Sequence, residues 1–98
     1  ALVKAGKVRA IGASNYSAAQ LHEALRAAER GLPRYAVLQP RYNLHDRATY
    51  EVDLREPCVR EGLGVIPYYG LAAGFLTGKY RSRAEIAGLA RERMLDRY

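Results

Sequence analysis

Gly64 to Lys79 reads GVIPYYGLAAGFLTGK, an apolar run that breaks at Pro67 into a loop of aromatic, alanine and glycine residues. Val65 and Ile66 are β-branched and uninterrupted by charge, the pattern of a short parallel strand covered on both faces by helices. Beyond Pro67, Gly70, Ala72, Ala73 and Gly74 carry little side-chain bulk, so backbone N–H groups can come close to a ligand. Such a loop at a strand's C-terminal end can hold phosphate oxygens through amides alone. Tyr68 and Tyr69 stand where strand gives way to loop and offer flat apolar faces with a polar tip, while Thr77 and Lys79 add a hydroxyl and a cation. On these residues alone, an ordinary turn is the better account of the glycines and alanines.

Toward the N-terminus, Val8 to Ala13, VRAIGA, reads as a first strand, with Ser14, Asn15, Tyr16 and Ser17 in the loop after it. Gly6 suits the end of a helix that precedes this strand, of which Ala1 to Lys4 would be the last part. Ser17 followed three residues later by Gln20 is a capping box, so a helix should start at once. Leu21, Ala24, Leu25 and Ala28 recur at helical spacing and form one apolar stripe, leaving His22, Glu23, Arg26 and Arg30 toward water. Gly31 ends this helix, and Pro33 cannot continue it.

Tyr35 to Gln39, YAVLQ, reads as a second strand that stops at Pro40 and passes into the polar loop RYNLHDR. A second helix is expected from about Thr49 to Glu61, with Val52 and Val59 facing inward and Gly62 as its cap. Pro57 constrains it, because an interior proline costs about 3 kcal/mol. Either the helix proper starts within the turn before Pro57 or it kinks there. Gly64 to Pro67 is the third strand, and Ser82 to Tyr98 reads as a loop passing into a helix, with Ile86, Leu89, Met94 and Leu95 as its apolar points.

Strand, helix, strand, helix, strand is the order of an α/β protein with a parallel sheet and covering helices. Three strands cannot close a barrel, which takes about 250 residues, and an open three-stranded sheet leaves two unpaired edges. Residues 1–98 are therefore expected to be part of one larger domain, the remainder of which, or another chain, covers those edges.

Composition sets the outer bounds. With 49% hydrophobic and 27% charged residues the chain has an ordinary globular balance rather than a disordered one. No apolar run is long enough to span a bilayer, and ALVKAGKVRAIG lacks the features of a signal peptide, so no membrane partner is expected and the cytoplasm is the default location. The single cysteine, Cys58, offers neither an internal disulfide nor a metal quartet and reads as a structural thiol. The net charge of +6 invites an anionic partner, yet basic residues alternate with Glu23, Glu29, Glu85, Glu92 and Asp96. This is the pattern of solvated helix faces, and with no helix-turn-helix or aromatic RNA-binding motif it argues against a nucleic-acid module.

All three candidate loops, at Ser14 and Asn15, at Gln39, and from Tyr68 onward, lie at strand C-terminal ends, where parallel sheets bind ligands. At these loops KAGKVRAIGASNYS, LQPRYNLHDR and GLGVIPYYGLAAGFLTGKYR closely resemble the aldo-keto reductase family, in order and at compatible spacing, from Leu2 to about Arg83 and more loosely to Tyr98. The resemblance implies a partial (β/α)8 TIM barrel, matching its fifth, sixth and seventh strands. It also implies an NADPH-dependent oxidoreductase that reduces aldehydes or ketones to alcohols, with a small-molecule carbonyl as substrate. In the family, the Ser-Asn pair and the Gln bind the nicotinamide carboxamide, and Ser14, Asn15 and Gln39 occupy those places. Hydroxyl and amide groups suit a neutral amide ligand, since they offer both donors and acceptors without charge. The family's stacking tyrosine matches Tyr68, with Tyr69 beside it in place of the commoner serine. Gly70, Leu71, Ala73, Gly74, Leu76, Thr77 and Lys79 match the loop that wraps the pyrophosphate.

The family's catalytic Tyr, Lys, His and Asp belong to earlier strands, so no catalytic residue is assigned here. His22 and His45 match none of them and are expected to face solvent. The eighth-strand residues that bind the adenosine 2′-phosphate are also outside the matched segment, and NADPH over NADH rests on the family's habit. A non-catalytic nucleotide-binding relative, regulatory or scaffolding in role, is the alternative, because such a protein can keep the Ser-Asn pair, the Gln and the glycine loop without the Tyr.

Overall fold

The computed structural model describes residues 1–98. Three parallel strands, β1 (Ile11–Ser14), β2 (Tyr35–Gln39) and β3 (Gly64–Val65), pair in sequence order. Each is joined to the next by a helical crossover: α1 (Ala18–Glu29) after β1, and a π-helical turn (Thr49–Leu54) running into α2 (Arg55–Arg60) after β2. A 3-10 segment kinked at Ala73 and Gly74 (Ala72–Thr77), a short 3-10 turn (Arg83–Glu85) and the one-turn α3 (Glu92–Leu95) follow β3. The α/β order with a parallel sheet agrees with the sequence reading and with a segment of a (β/α)8 barrel.

β1 is shorter and later than the expected Val8 to Ala13. Ile11 already pairs with Tyr35, the first residue of β2, so nothing in the sheet lies opposite Val8 to Ala10. Val8 N–H instead turns back to the Leu2 carbonyl. β3 is likewise shorter than Gly64 to Pro67. Ile66 N–H still donates to the Leu38 carbonyl across 2.9 Å, but Pro67 has no N–H and interrupts the ladder. Pairing resumes one residue later, where Tyr68 N–H reaches the Pro40 carbonyl at 3.0 Å and Tyr68 bridges Arg41 in parallel register.

The capping box at the start of α1 forms as its sequence demands. The Ser17 hydroxyl accepts from Gln20 N–H at 3.2 Å, and the Gln20 side chain accepts from Ser17 N–H at 2.9 Å. Leu21 and Leu25 bring the inner stripe of α1 onto Ala13 and Leu38 of the sheet, and Leu54, Cys58 and Leu63 complete one cluster. Helices lie on one face of the sheet only: Gly12, Gly64 and Ile66 are exposed, contrary to the expectation of a strand buried on both faces. The resulting slab is 17 Å through its thinnest axis, room for one helix layer on one sheet.

The helix expected over Thr49 to Glu61 takes the first of the two forms that Pro57 leaves open, with its α-helical part starting within the turn before the proline. Its first half is a π turn, and the α-helix proper starts at Arg55, which places Pro57 in its first turn, where a missing N–H costs little. The wider turn changes the phase of the following residues. Val52 and Val59, expected inside, are 76% and 73% exposed, while Leu54 and Cys58 take the core positions. Of the apolar points in the C-terminal segment, Ile86 and Leu95 are buried, while Leu89 and Met94 are exposed.

Candidate functional site

The site is assembled at the C-terminal ends of the strands. Ser14 and Gln39 are register partners. Around them the chain closes a small hydrogen-bonded knot: the Ser14 hydroxyl donates to the Gln39 carbonyl at 3.1 Å, and Asn15 N–H donates to the same oxygen at 3.2 Å. Asn15 has a φ of +59°, a left-handed conformation that Asn tolerates better than most residues. The turn brings its side chain to the Tyr68 hydroxyl, which donates to Asn15 Oδ1 at 2.6 Å. Ser14, Asn15, Gln39 and Tyr68 are thereby joined, although they come from three different strand ends.

Tyr68 lies across the neighbouring strand. Its ring and that of Tyr69 stand 5.2 Å apart at 61°, and the Arg41 guanidinium lies over both, 5.8 Å and 5.3 Å from their centroids. Tyr69 turns toward the C-terminal segment, where its hydroxyl contacts Met94 Sδ at 3.7 Å. A cavity of about 520 Å³ opens beside this group, bounded by Asn15, Ser17, Gln20, Arg41, His45 and Tyr68.

The Gly70–Lys79 loop is shaped by left-handed backbone at Ala72, Ala73 and Gly74, with φ of +51°, +58° and +107°. Amides of Ala72, Gly74 and Leu76 turn inward to carbonyls of Tyr69 and Leu71. Those of Gly70, Leu71 and Ala73 take no acceptor within the chain and remain open to an anion. The Thr77 hydroxyl is engaged inside the loop, donating to the Gly74 carbonyl at 2.6 Å and accepting from Lys79 N–H at 3.2 Å. These two bonds brace the turn. The Lys79 ammonium sits 5.7 Å from the Tyr80 ring.

A second polar group lies behind Tyr69 and was not singled out in the sequence. Asn43, 7% exposed, accepts at Oδ1 from the N–H groups of His45 and Asp46, a local turn that Asn favours. Its Nδ2 donates to the Tyr69 carbonyl at 3.0 Å. Asp46 accepts from the Tyr98 hydroxyl at 2.6 Å and from Arg97 at 3.2 Å. Partial burial pushes the Asp46 carboxyl up, but the hydrogen bonds from Tyr98, Arg97 and Asn43 outweigh it and hold the group below the ordinary carboxylate range. Burial, with the bond to Asp46, raises the Tyr98 hydroxyl. Contacts of this group with Asn43 span as many as 55 residues of sequence, which is why no local pattern announced it. The one local signal was Asn43 followed by Asp46 in the polar loop.

His22 and His45 are exposed. The His45 ring nevertheless packs edge-on against Phe75 and Tyr98. No group of three or more His, Cys, Asp or Glu side chains is placed to hold a metal ion, and no helix is long and apolar enough to cross a membrane. Burial in the core raises the Cys58 thiol.

Comparison with known proteins adds an independent line. Residues 1–96 match the family model described as the aldo/keto reductase family. The chain is 40% identical over 96 residues to protein tas of Escherichia coli, covering 97% of this chain and 27% of that protein. It is 36% identical over 80 residues to the chloroplastic pyridoxal reductase of Arabidopsis thaliana, covering 79% and 21% respectively. A probable voltage-gated potassium channel subunit beta of Arabidopsis thaliana is 39% identical over 74 residues, covering 74% and 23%. The chain thus spans about a quarter of the length of these relatives.

Proposed function

The chain belongs to the aldo/keto reductase family, and on that premise we propose that it carries the nicotinamide side of the cofactor site in an NADPH-dependent oxidoreductase that reduces aldehydes or ketones to alcohols. One observation carries the reading: Ser14, Asn15, Gln39 and Tyr68 are knotted together at adjacent strand ends, with a neutral polar edge beside a half-buried aromatic ring.

The donor set suits a carboxamide. Ser14 spends its proton on the Gln39 carbonyl and is left as an acceptor, while Asn15 Oδ1 is taken by Tyr68 and the Asn15 Nδ2 is left as a donor. Such a pair matches the –NH2 and C=O of an amide in one orientation, so the ring attached to it would present a fixed face. Tyr68 would support that ring, and the open amides of Gly70, Leu71 and Ala73 would meet pyrophosphate oxygens. When bound, the cofactor supplies a hydride to the carbonyl carbon. The proton donor would come from the family's Tyr on an earlier strand of the barrel. The outer edges of β1 and β3 would pair with the barrel's remaining strands. A buried free thiol at Cys58 suits a cytoplasmic enzyme.

A second reading, that of a non-catalytic nucleotide-binding regulator, draws support from the likeness to the potassium channel subunit beta. Purified full-length protein should quench or enhance NADPH fluorescence on binding and oxidise NADPH in the presence of a panel of aldehydes and ketones. Binding without oxidation across the panel would favour the regulatory reading, and no binding would overturn both.

A further inference from the structure

We propose that Arg41 sets the site's preference for reduced over oxidised nicotinamide, an inference that rests on the reading of Tyr68 as the nicotinamide's support. Arg41 and Tyr68 are register partners in the extension of the sheet, so their side chains leave the same face. The guanidinium settles in the wedge between the Tyr68 and Tyr69 rings, 5.8 Å and 5.3 Å from their centroids. Arg41 enters none of the chain's ion pairs, and its Nε is buried without an acceptor. The nearby carboxylate, Asp46, is occupied by Arg97, Tyr98 and Asn43. Arg93 and Arg97 line the same crevice as Arg41, so the charge behind the tyrosines is positive.

Charge separates the two redox forms of the ligand. The oxidised nicotinamide is a pyridinium cation; the reduced ring is neutral and electron-rich. A guanidinium held against the supporting ring draws on the ring's π density and repels a second cation on it, while leaving a neutral ring unaffected. Uniform contacts to ribose and phosphate cancel in the comparison. The expected consequence is tighter binding of NADPH than of NADP+ and faster departure of the oxidised form, which favours operation toward carbonyl reduction.

The test is a pair of dissociation constants, for NADPH and NADP+, measured by fluorescence and calorimetry on full-length protein. In the unaltered protein NADPH is expected to bind the tighter. Arg41→Met is expected to narrow the ratio about threefold to tenfold, chiefly by improving NADP+ binding, the size of one unit charge in a partly exposed site. Arg41→Lys keeps the charge and is expected to keep the ratio. An unaltered protein that binds NADP+ as tightly as NADPH, a ratio unmoved in Arg41→Met, or equal losses in Arg41→Met and Arg41→Lys would each overturn the proposal while leaving the cofactor site standing. If the unaltered protein binds neither form, both the site and this inference fall.

Discussion

The Tyr68 hydroxyl donates to Asn15 Oδ1 across 2.6 Å, joining two loops 53 residues apart in sequence. This bond fixes the tilt of the Tyr68 ring and at the same time consumes the acceptor of Asn15. Tyr68→Phe keeps the ring and frees the amide. The expected outcome is roughly fivefold weaker NADPH binding, the size of one net hydrogen bond of about 1 kcal/mol, whereas Tyr68→Ala should weaken it further. Titration of cofactor fluorescence checks both: an unchanged affinity in Tyr68→Phe would mean that the hydroxyl bond to Asn15 does not set the hold on the ligand, and an unchanged affinity in Tyr68→Ala that the ring does not face it.

Gly12 lies against Val37 in the paired strands. A Cβ at this position would overlap Val37 Cγ2 and stand 3.0 Å from the Val37 carbonyl oxygen, closer than packing allows. Gly12→Ala is therefore expected to destabilise the fold by about 1 to 3 kcal/mol. At Gly64 the nearest atom, Val37 Cγ1, would be at 3.1 Å and the nearest backbone atom, the Ala36 carbonyl oxygen, at 3.8 Å, so Gly64→Ala should cost less. Chemical denaturation of the two variants gives the order directly.

The phase of the second crossover makes a contrast between neighbours. Val52→Thr and Val59→Thr, on exposed positions, are expected to change stability by no more than about 0.5 kcal/mol. Leu54→Ala, at 2% exposure, should cost about 2 to 5 kcal/mol. Equal losses at Val52 and Leu54 in thermal or denaturant unfolding would show that the π turn is not the solution state.

Asp46 gives a pH dependence. Its folded carboxyl titrates below its unfolded value, so the unfolded chain takes up the proton first as pH falls. The stability contributed by the Tyr98 and Arg97 bonds is fully present above the unfolded carboxylate range, near pH 4, and is lost below it as pH falls through the depressed folded value. Asp46→Asn should lack this acid-dependent component. Proteolysis of the C-terminal segment as a function of pH reads it, with the unaltered protein becoming susceptible in acid and Asp46→Asn showing a flatter profile.

Much of the architecture was legible where the determining interactions are local. Ser17 and Gln20 make their capping box within four residues, and Leu21 and Leu25 declare the inner stripe of α1 by spacing alone. The order of strands and helices followed from the same periodicities. Val52 and Val59 misled because the chain there departs from the 3.6-residue period, and no residue pattern marks a π turn. Pro67 fixed the end of β3, yet not the return of pairing at Tyr68, which depends on the Pro40 carbonyl of another strand. For the site, the residues themselves left Asn15 as a turn former and Tyr68 as a core aromatic; only the family likeness joined them. Arg41, Asn43 and Tyr98 stayed hidden because their partners are distant along the chain and chemically ordinary.

The return of pairing beyond Pro67 has a consequence for motion. Tyr68 N–H to the Pro40 carbonyl, and Tyr42 N–H to the Tyr68 carbonyl at 3.4 Å, make Tyr68 a rung of the sheet rather than the tip of a loose loop. Its amide should exchange with solvent deuterium on the timescale of the strands and not of the neighbouring Gly70–Lys79 segment. Tyr68 then opens only when the sheet opens, so a ligand stacked on its ring would cost little ordering entropy there.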